Sequence, residues 1–330
     1  MKNMETRFLV TGGSGFIGTF LIQSLVESGI SNILNIDIAE PKEKEHLKFW
    51  TEADILEKEK IISLAKKFQP ENIIHLAART DTNPKNVLED YKVNTEGTQN
   101  VLETVQNCAS AKRLIITSTQ FVHQYNGFPK HDEDYAPHTI YGESKVITEQ
   151  LTRSADLNCI WTIIRPTNIW GPRHPRYPQE FWYVLKVGKY IHPGKKQVIR
   201  SYGYVGNVVD QIMTLLKTDP IKVHQEVFYV GDKPINLYDW VNGFSIALRK
   251  RNVKVVPRFI VKAAAVGGNI LNVFGINFPI TLSRYKSMTQ DNIAPMDKTF
   301  EILGSPKYSL QQGINETTDW LKQQNEFWSK

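Results

Sequence analysis

The stretch FLVTGGSGFIG, residues 8–18, restricts the fold more than any other part of the chain. Four residues suited to a strand run into a glycine-dense turn, and an amphipathic pattern opens directly behind it. Gly13, Gly15 and Gly18 satisfy G-x-G-x-x-G, and Gly12, Gly15 and Gly18 satisfy the wider G-x-x-G-x-x-G. Glycine permits a tight turn and close backbone approach, and the helix N-terminus behind it offers N–H groups to a pyrophosphate. Strand, glycine turn and helix in this order form the opening unit of a dinucleotide-binding parallel sheet.

The rest of the first half repeats the alternation. Strand-like runs at Arg7–Thr11, Ile33–Asp37, Asn72–Leu76, Arg113–Thr117 and Trp161–Arg165 alternate with helical patterns near Phe16–Ser28, Glu57–Phe68, Asn94–Gln106 and Tyr141–Ser154. Near-continuous apolar strands separated by helices indicate a parallel sheet covered on both faces. Residues 166–200 are rich in Pro, Arg, Tyr and Trp and read as irregular structure over a site. Val205–Lys217 reads as a helix, Glu226–Val230 as one more strand, and 236–330 as mostly helical. The expected fold is therefore α/β, a Rossmann-type doubly wound parallel sheet with a smaller, mostly helical C-terminal substrate lobe. Residues 1–165 form the dinucleotide domain, with 201–235 returning to it, and 166–200 with 236–330 form the lobe. Ligands are expected at the carboxyl ends of the strands, between the two.

Asp37 ends the second strand, 19 residues after Gly18. A carboxylate there accepts hydrogen bonds from an adenosine ribose and repels a 2′-phosphate. No Arg follows within a few positions, so the expected cofactor is NAD rather than NADP. Asp54 begins the next helical pattern and reads either as its N-cap or as a contact to the adenine amino group.

Composition narrows the class. The 330 residues are 41% hydrophobic and 22% charged, as in an ordinary globular protein. A net charge of +6, with a mild basic concentration between Arg173 and Arg200, suits an anionic substrate and is not a nucleic-acid footprint. Cys108 and Cys159 read as buried packing residues, and their spacing matches no metal site. The N-terminus runs directly into the glycine loop without a signal pattern, so a cytoplasmic protein is expected. Residues 255–278 are weakly polar but contain Pro257, Arg258, Lys262, Gly267 and Gly268. They read as a buried or surface-packed helix, and membrane contact is not expected.

The strand RLIIT, residues 113–117, ends in the hydroxyls of Ser118 and Thr119, at the same sheet edge as the glycine loop. About twenty residues later, IYGESK places Tyr141 four positions before Lys145, on one helix face. The nearby ammonium favours the phenolate and makes Tyr141 a candidate general base. A second match, Tyr229 and Lys233, contains Gly231 and Asp232 and runs into Pro234, so it reads as a strand end and turn. A nucleotide loop, strand-end hydroxyls and a Tyr/Lys pair suit the movement of a hydride and a proton. Tyrosinate takes the hydroxyl proton, Lys145 keeps the tyrosine acidic and orients the nicotinamide ribose, and Thr119 steadies the substrate oxygen.

These features resemble the extended short-chain dehydrogenase/reductase family, in its NAD-dependent nucleotide-sugar epimerase/dehydratase branch. The marks are TGGSGFIG, Asp37, HLAA at 75–78, VNTEGTQNVLE at 93–103, TST at 117–119, YGESK, and RPTNIWGP at 165–172. They run from about Phe8 to Trp320. The resemblance implies that Gly12, Gly15, Phe16, Ile17 and Gly18 contact the pyrophosphate, Asp37 the ribose, and Asp54 and Ile55 the adenine. It implies that Leu76, Ala77 and Ala78 line the cofactor groove and that Asn94 and Thr117 belong to the cofactor site. Thr119, Tyr141 and Lys145 are catalytic by this likeness, and Thr119, Asn168 and Arg200 hold the substrate, the last two at its diphosphate. No metal is implied. Family members commonly pair through two helices, which implies a homodimer through Asn94–Gln106 and Tyr141–Ser154.

Departures from the family pattern bear on the reaction. Val122, His123 and Gln124 stand where the family usually has Val-Tyr-Gly, and Gly206 and Asn207 replace an acidic pair. Dehydratases carry Asp-Glu after the catalytic threonine, where this chain has Gln120 and Phe121; neither moves a proton, so dehydration is not expected. His123 reads as a structural substitute for the tyrosine rather than a base. FPITLSRYKSM and DKTFEILGSP resemble hydroxysteroid-dehydrogenase-like members. The leading expectation is an NAD-dependent epimerase of a nucleotide-diphosphate sugar. The alternative is an NAD(P)-dependent reductase or dehydrogenase of a keto-sugar or sterol-like alcohol. A third reading, a non-catalytic NAD-sensing protein, is disfavoured by the intact Thr119, Tyr141 and Lys145.

Overall fold

The computed structural model describes residues 6–83, 85–123, 128–275 and 278–324. Their contacts group into two units. The first gathers the described residues of Met1–Ile169, Val205–Gly231 and Pro295–Lys307, and the second those of Trp170–Tyr204, Asp232–Ala294 and Tyr308–Lys330.

The first unit is built on a seven-stranded sheet. Its strands are β1 (Phe8–Thr11), β2 (Ile33–Asp37), β3 (Trp50–Glu52), β4 (Asn72–His75), β5 (Arg113–Thr117), β6 (Ile160–Pro166) and β7 (Glu226–Val230). All neighbours are parallel, in the order β7–β6–β5–β4–β1–β2–β3. The helices are α1 (Phe16–Glu27), α2 (Lys58–Phe68), α3 (Glu96–Gln106), α4 (Ile140–Ser154) and α5 (Val205–Leu215).

Successive strand residues point to opposite faces, and both faces here are apolar. Val10, Ile74, Ile115, Ile164 and Phe228 join Leu21, Leu25 and Ile212 of α1 and α5 in one core. Leu9, Ile73, Ile116, Ile163 and Val227 join Ile61, Val101 and Leu102 of α2 and α3 in the other. Burial on both sides explains why the strands read as apolar runs rather than alternating ones. Strand order reverses about β1, whose neighbours are β2 and β4. In such sheets ligands bind outside the carboxyl ends at this reversal.

Two local features differ from the sequence expectation. β3 was not foreseen: it has three residues and incomplete burial, too little for a periodic signal. α3 begins at Glu96 rather than Asn94, which ends a preceding 3-10 turn (Leu88–Asn94). The Tyr229–Lys233 segment is a strand end, as read, followed by a bend at Gly231 and irregular backbone rather than a helix.

The short helix Asp297–Leu303 packs on β7. Thr299 Oγ1 donates to the Tyr229 carbonyl at 2.6 Å, and Lys298 pairs with Glu226.

The second unit contains α6 (Leu237–Arg249), α7 (Arg258–Val273), α8 (Leu282–Thr289) and α9 (Leu310–Lys322). The aromatic richness of 166–200 becomes packing here. Trp240 of α6 stacks on Tyr202 with centroids 4.4 Å apart and on Phe181 at 5.0 Å. Trp170 packs against Tyr204 and Phe244, and Gly313 of α9 gives it room.

Candidate active site

The turn after β1 excludes side chains by its own packing. Gly12 has φ +74°, and a Cβ there would lie 2.5 Å from the Ala77 amide nitrogen. A Cβ on Gly18 would press into the Gly12 carbonyl, so only glycine lets α1 sit this close to the strand end. Gly15 is the N-cap of α1, and no side chain caps the helix. Its first-turn donors are backbone N–H groups, the arrangement that binds phosphate.

A cavity of about 400 Å³ follows the turn. Gly12, Gly15, Asp37, Asp54, Ile55, Leu76, Ala77 and Ala78 line it, all of them singled out in the sequence. Ser14, Ile38, Ala53, Arg79 and Val93 line it as well and were not singled out. Phe16, Ile17 and Gly18 open α1 beside it. Asp37 Oδ2 accepts from Ser14 N at 3.0 Å and Oδ1 from Ala39 N at 2.9 Å, so the carboxylate is fixed at the strand end. Asp54 is not a helix cap, because α2 starts later with Glu57 as its N-cap. Its Oδ1 instead accepts from Leu56 N at 2.9 Å. A glycine contour, a fixed carboxylate and an apolar wall of Ile38, Ala53 and Ile55 fit a dinucleotide.

Asn94 is fully buried and binds protein on three sides. It accepts from Arg79 N and donates to the Arg79 carbonyl and to Ser144 Oγ, each at 2.9 Å. The residue thus fastens the cavity wall at Arg79 to α4. Both of its amide hydrogens are spent on these bonds.

The catalytic candidates gather where β5 ends and α4 begins. Thr139 caps α4, accepting from Gly142 N at 3.0 Å, which sets Tyr141 in the first turn. The buried Tyr141 ring packs against Tyr91 and Phe121, with centroids 6.3 Å away in each case. One turn on, Lys145 is 1% exposed and its Nζ donates to the Thr117 carbonyl at 2.8 Å. Burial pushes the ammonium down to about 7, with the Glu149 carboxylate pulling the other way. Thr119, two residues after Thr117, is buried, and its Oγ1 accepts from Phe121 N at 3.3 Å.

Below this lies a charged network that the sequence reading missed. Glu149, buried one turn after Lys145, receives Arg165 Nε at 2.8 Å and Nη2 at 2.7 Å. It also accepts from Ser118 Oγ at 2.5 Å and Tyr135 Oη at 3.0 Å. Burial works against the Arg165 charge, but Glu149 outweighs it and holds the guanidinium above its ordinary value. The available signal was positional: Tyr141, Lys145 and Glu149 are spaced by four on one face of α4, and Arg165 closes β6 at the same sheet edge.

His75 bridges Thr11 Oγ1 at 2.7 Å and Thr98 Oγ1 at 3.2 Å, and burial followed by the Lys145 charge pushes it down to about 3. It is a neutral connector. His123 is also tied to backbone, its Nδ1 donating to the Asp134 carbonyl at 2.7 Å, which accords with a structural role. Gln124 lies outside the described residues. Gln120 is buried and pairs neither amide atom among the described residues. Asn168 is half-buried and belongs to the first unit. Arg200 belongs to the second unit, where it is buried and Nη1 donates to the Gln290 carbonyl at 3.3 Å. Among the described residues no cluster suits a metal ion, and no helix is long and apolar enough to cross a membrane.

Comparison with known proteins places this geometry. The model of the NAD dependent epimerase/dehydratase family matches residues 8–231. The chain is 26% identical over 336 residues to N-acetyl-alpha-D-glucosaminyl-diphospho-ditrans,octacis-undecaprenol 4-epimerase of Escherichia coli O157:H7, with 96% of each chain covered. It is 26% identical to a 3-beta-hydroxysteroid dehydrogenase of Mycolicibacterium neoaurum, covering 78% of this chain and 75% of that one. The solved UDP-glucose 4-epimerase of Thermotoga maritima shares the fold, at 22% identity and TM-score 0.71 over 96% of this chain and 99% of that one. The chain belongs to the NAD-dependent epimerase/dehydratase family and is an epimerase or dehydrogenase of the extended short-chain type.

Proposed function

We propose that the protein is an NAD-dependent epimerase of a sugar carried on a nucleoside diphosphate, with Tyr141 as the general base. The observation that carries this reading is Lys145, buried one helical turn from Tyr141 and tied to the Thr117 carbonyl. An ammonium held there lowers the cost of forming tyrosinate, and one bond to Thr117 uses only one of its three hydrogens. Tyr141 takes the proton of a sugar hydroxyl and gives it back, while Thr119 holds the same oxygen. NAD, when bound, supplies the hydride acceptor and donor. The first unit is the nucleotide-binding domain and the second the substrate domain. Asn168 and Arg200 hold the diphosphate, leaving the sugar free to turn and present its other face. The Asp37 carboxylate, without a cationic partner at the neighbouring positions, favours NAD over NADP. Gln120 and Phe121 supply no acid or base, which sets dehydration aside.

A second reading, net oxidation of an alcohol with the same residues, is favoured by the likeness to a 3-beta-hydroxysteroid dehydrogenase. Denaturing the purified protein and identifying the released nucleotide separates the two. Retained NAD(H), with interconversion of sugar epimers and no net NADH, supports the epimerase. An empty protein that turns over added NAD stoichiometrically with an alcohol overturns it. In either case Tyr141→Phe is expected to lower turnover by about 10²–10⁴-fold with nucleotide binding unchanged. Full activity in that variant removes the proposed base.

A further inference from the structure

Acids and bases are nearly matched along the chain, at 34 and 40, yet one block departs from this balance. From Trp240 to Gln290 there are eight Lys or Arg and no Asp or Glu. The block holds α7 and α8, which pack against each other.

α7 buries only a narrow stripe, made by Val261, Ala265 and Gly268. Gly268 lies against the Ile280 carbonyl and the Phe278 ring. The opposite face is not polar. Phe259, Val266 and Ile270 are spaced by seven and four, so they share one side of the helix, and Val273 continues it. Phe259 is 73% exposed, Val273 83%, and Phe274 at the helix end 76%. Fifteen large hydrophobic side chains are exposed among the described residues, and seven of them lie between Val255 and Phe274. Single exposed hydrophobics are ordinary, but a contiguous row marks an interaction surface. Lys254 before α7, Lys262 within it, and Arg284 and Lys286 on the adjoining α8 are exposed.

We propose that α7 docks the protein on an anionic lipid surface, lying in the headgroup plane with its apolar row immersed. Bulky apolar side chains on one face of a helix, in a segment whose charges are all basic, suit a bilayer interface, where aliphatic and aromatic groups enter the acyl boundary and cations meet lipid phosphates. The complete absence of acids from the block is the charge complement such a surface needs. At 16 residues the helix is about 24 Å long, short of a membrane's hydrocarbon thickness, so it lies on the bilayer and does not cross it. α7 belongs to the second unit, whereas the glycine turn and Tyr141 belong to the first, and the proposal holds whether or not the epimerase reading does.

The test is flotation of the full-length protein with vesicles of equimolar phosphatidylglycerol and phosphatidylcholine, against phosphatidylcholine alone. The anionic vesicles are expected to bind about tenfold more protein, and added salt to reduce the difference. The variant Phe259→Ser/Val266→Ser/Ile270→Ser is expected to lose about tenfold in binding with an unchanged melting curve. Lys254→Glu/Lys262→Glu is expected to lose the preference for anionic vesicles, and it decides the matter alone should the triple variant misfold. Wild-type protein that fails to float overturns the proposal, as does binding indifferent to both variants. Sedimentation showing an oligomer that the serine variant dissolves, without vesicle binding, assigns the row to a second copy of the chain instead.

Discussion

Lys145 meets two opposed demands, a charge near Tyr141 and a place in the core. Burial lowers its ammonium to about 7, from the 10.5 of a solvated lysine. Below about 7 both folded and unfolded chains hold the proton, and the folded state bears the full cost of the buried charge. Between about 7 and 10.5 only the unfolded chain is protonated, so stability climbs with pH, and above this window the cost is gone. Lys145→Met is therefore expected to be inactive yet more stable than wild type in urea near pH 6, with the gap closing towards about pH 10. A gap that does not change with pH contradicts the buried ammonium. At Asp37, Asp37→Asn keeps the side chain's size and removes its charge. It is expected to shift nucleotide preference towards NADP by about tenfold, measured as a ratio of dissociation constants. Both residues were legible in the sequence because their chemistry fixes residue type and spacing together. Glu149 was not, since its partner Arg165 stands 16 positions away on another element and only folding brings them within 2.7 Å.

At the scale of elements, that pair ties α4 to β6 one turn beyond Lys145. Both side chains are essentially inaccessible, at 0% and 1% exposure. Leaving one buried charge without its partner costs about 3–5 kcal/mol. Glu149→Gln is expected to lose stability of that order in chemical denaturation and to lower activity through the misplaced helix. A loss within about 0.5 kcal/mol, typical of a surface change, would show that α4 is held by its apolar contacts alone. The sheet strands were readable because burial on both faces leaves continuous apolar runs, as in Ile73–Ile74 and Ile163–Ile164. β3 was not, because three partly covered residues have no period. The start of α3 was misplaced because Asn94 spends its side chain across the fold, on Arg79 and Ser144, and no local pattern records that. The row on α7 was visible as apolar residues but not as an exposed face, which depends on what packs against the helix.

For the whole molecule, nucleotide binding and folding are linked. A ligand that binds only the folded state at about a hundred times its dissociation constant adds ~2.7 kcal/mol. Calorimetry with NAD is expected to show a raised transition, and if two transitions resolve, only that of the unit holding the glycine turn moves. No shift at saturating NAD or NADP contradicts the cofactor site. The order in which the chain supplies this unit has a further result. β6 ends at Pro166, and its outer neighbour β7 begins at Glu226, so roughly sixty residues intervene, most of them belonging to the other unit. During synthesis at about 5–20 residues per second, the β6 edge waits roughly 3–12 s for its partner. Over that interval the nascent chain carries an open strand of Ile, Trp, Thr and Ile residues, and the ribosome-bound protein is exposed to edge pairing with other chains until Glu226–Val230 arrives.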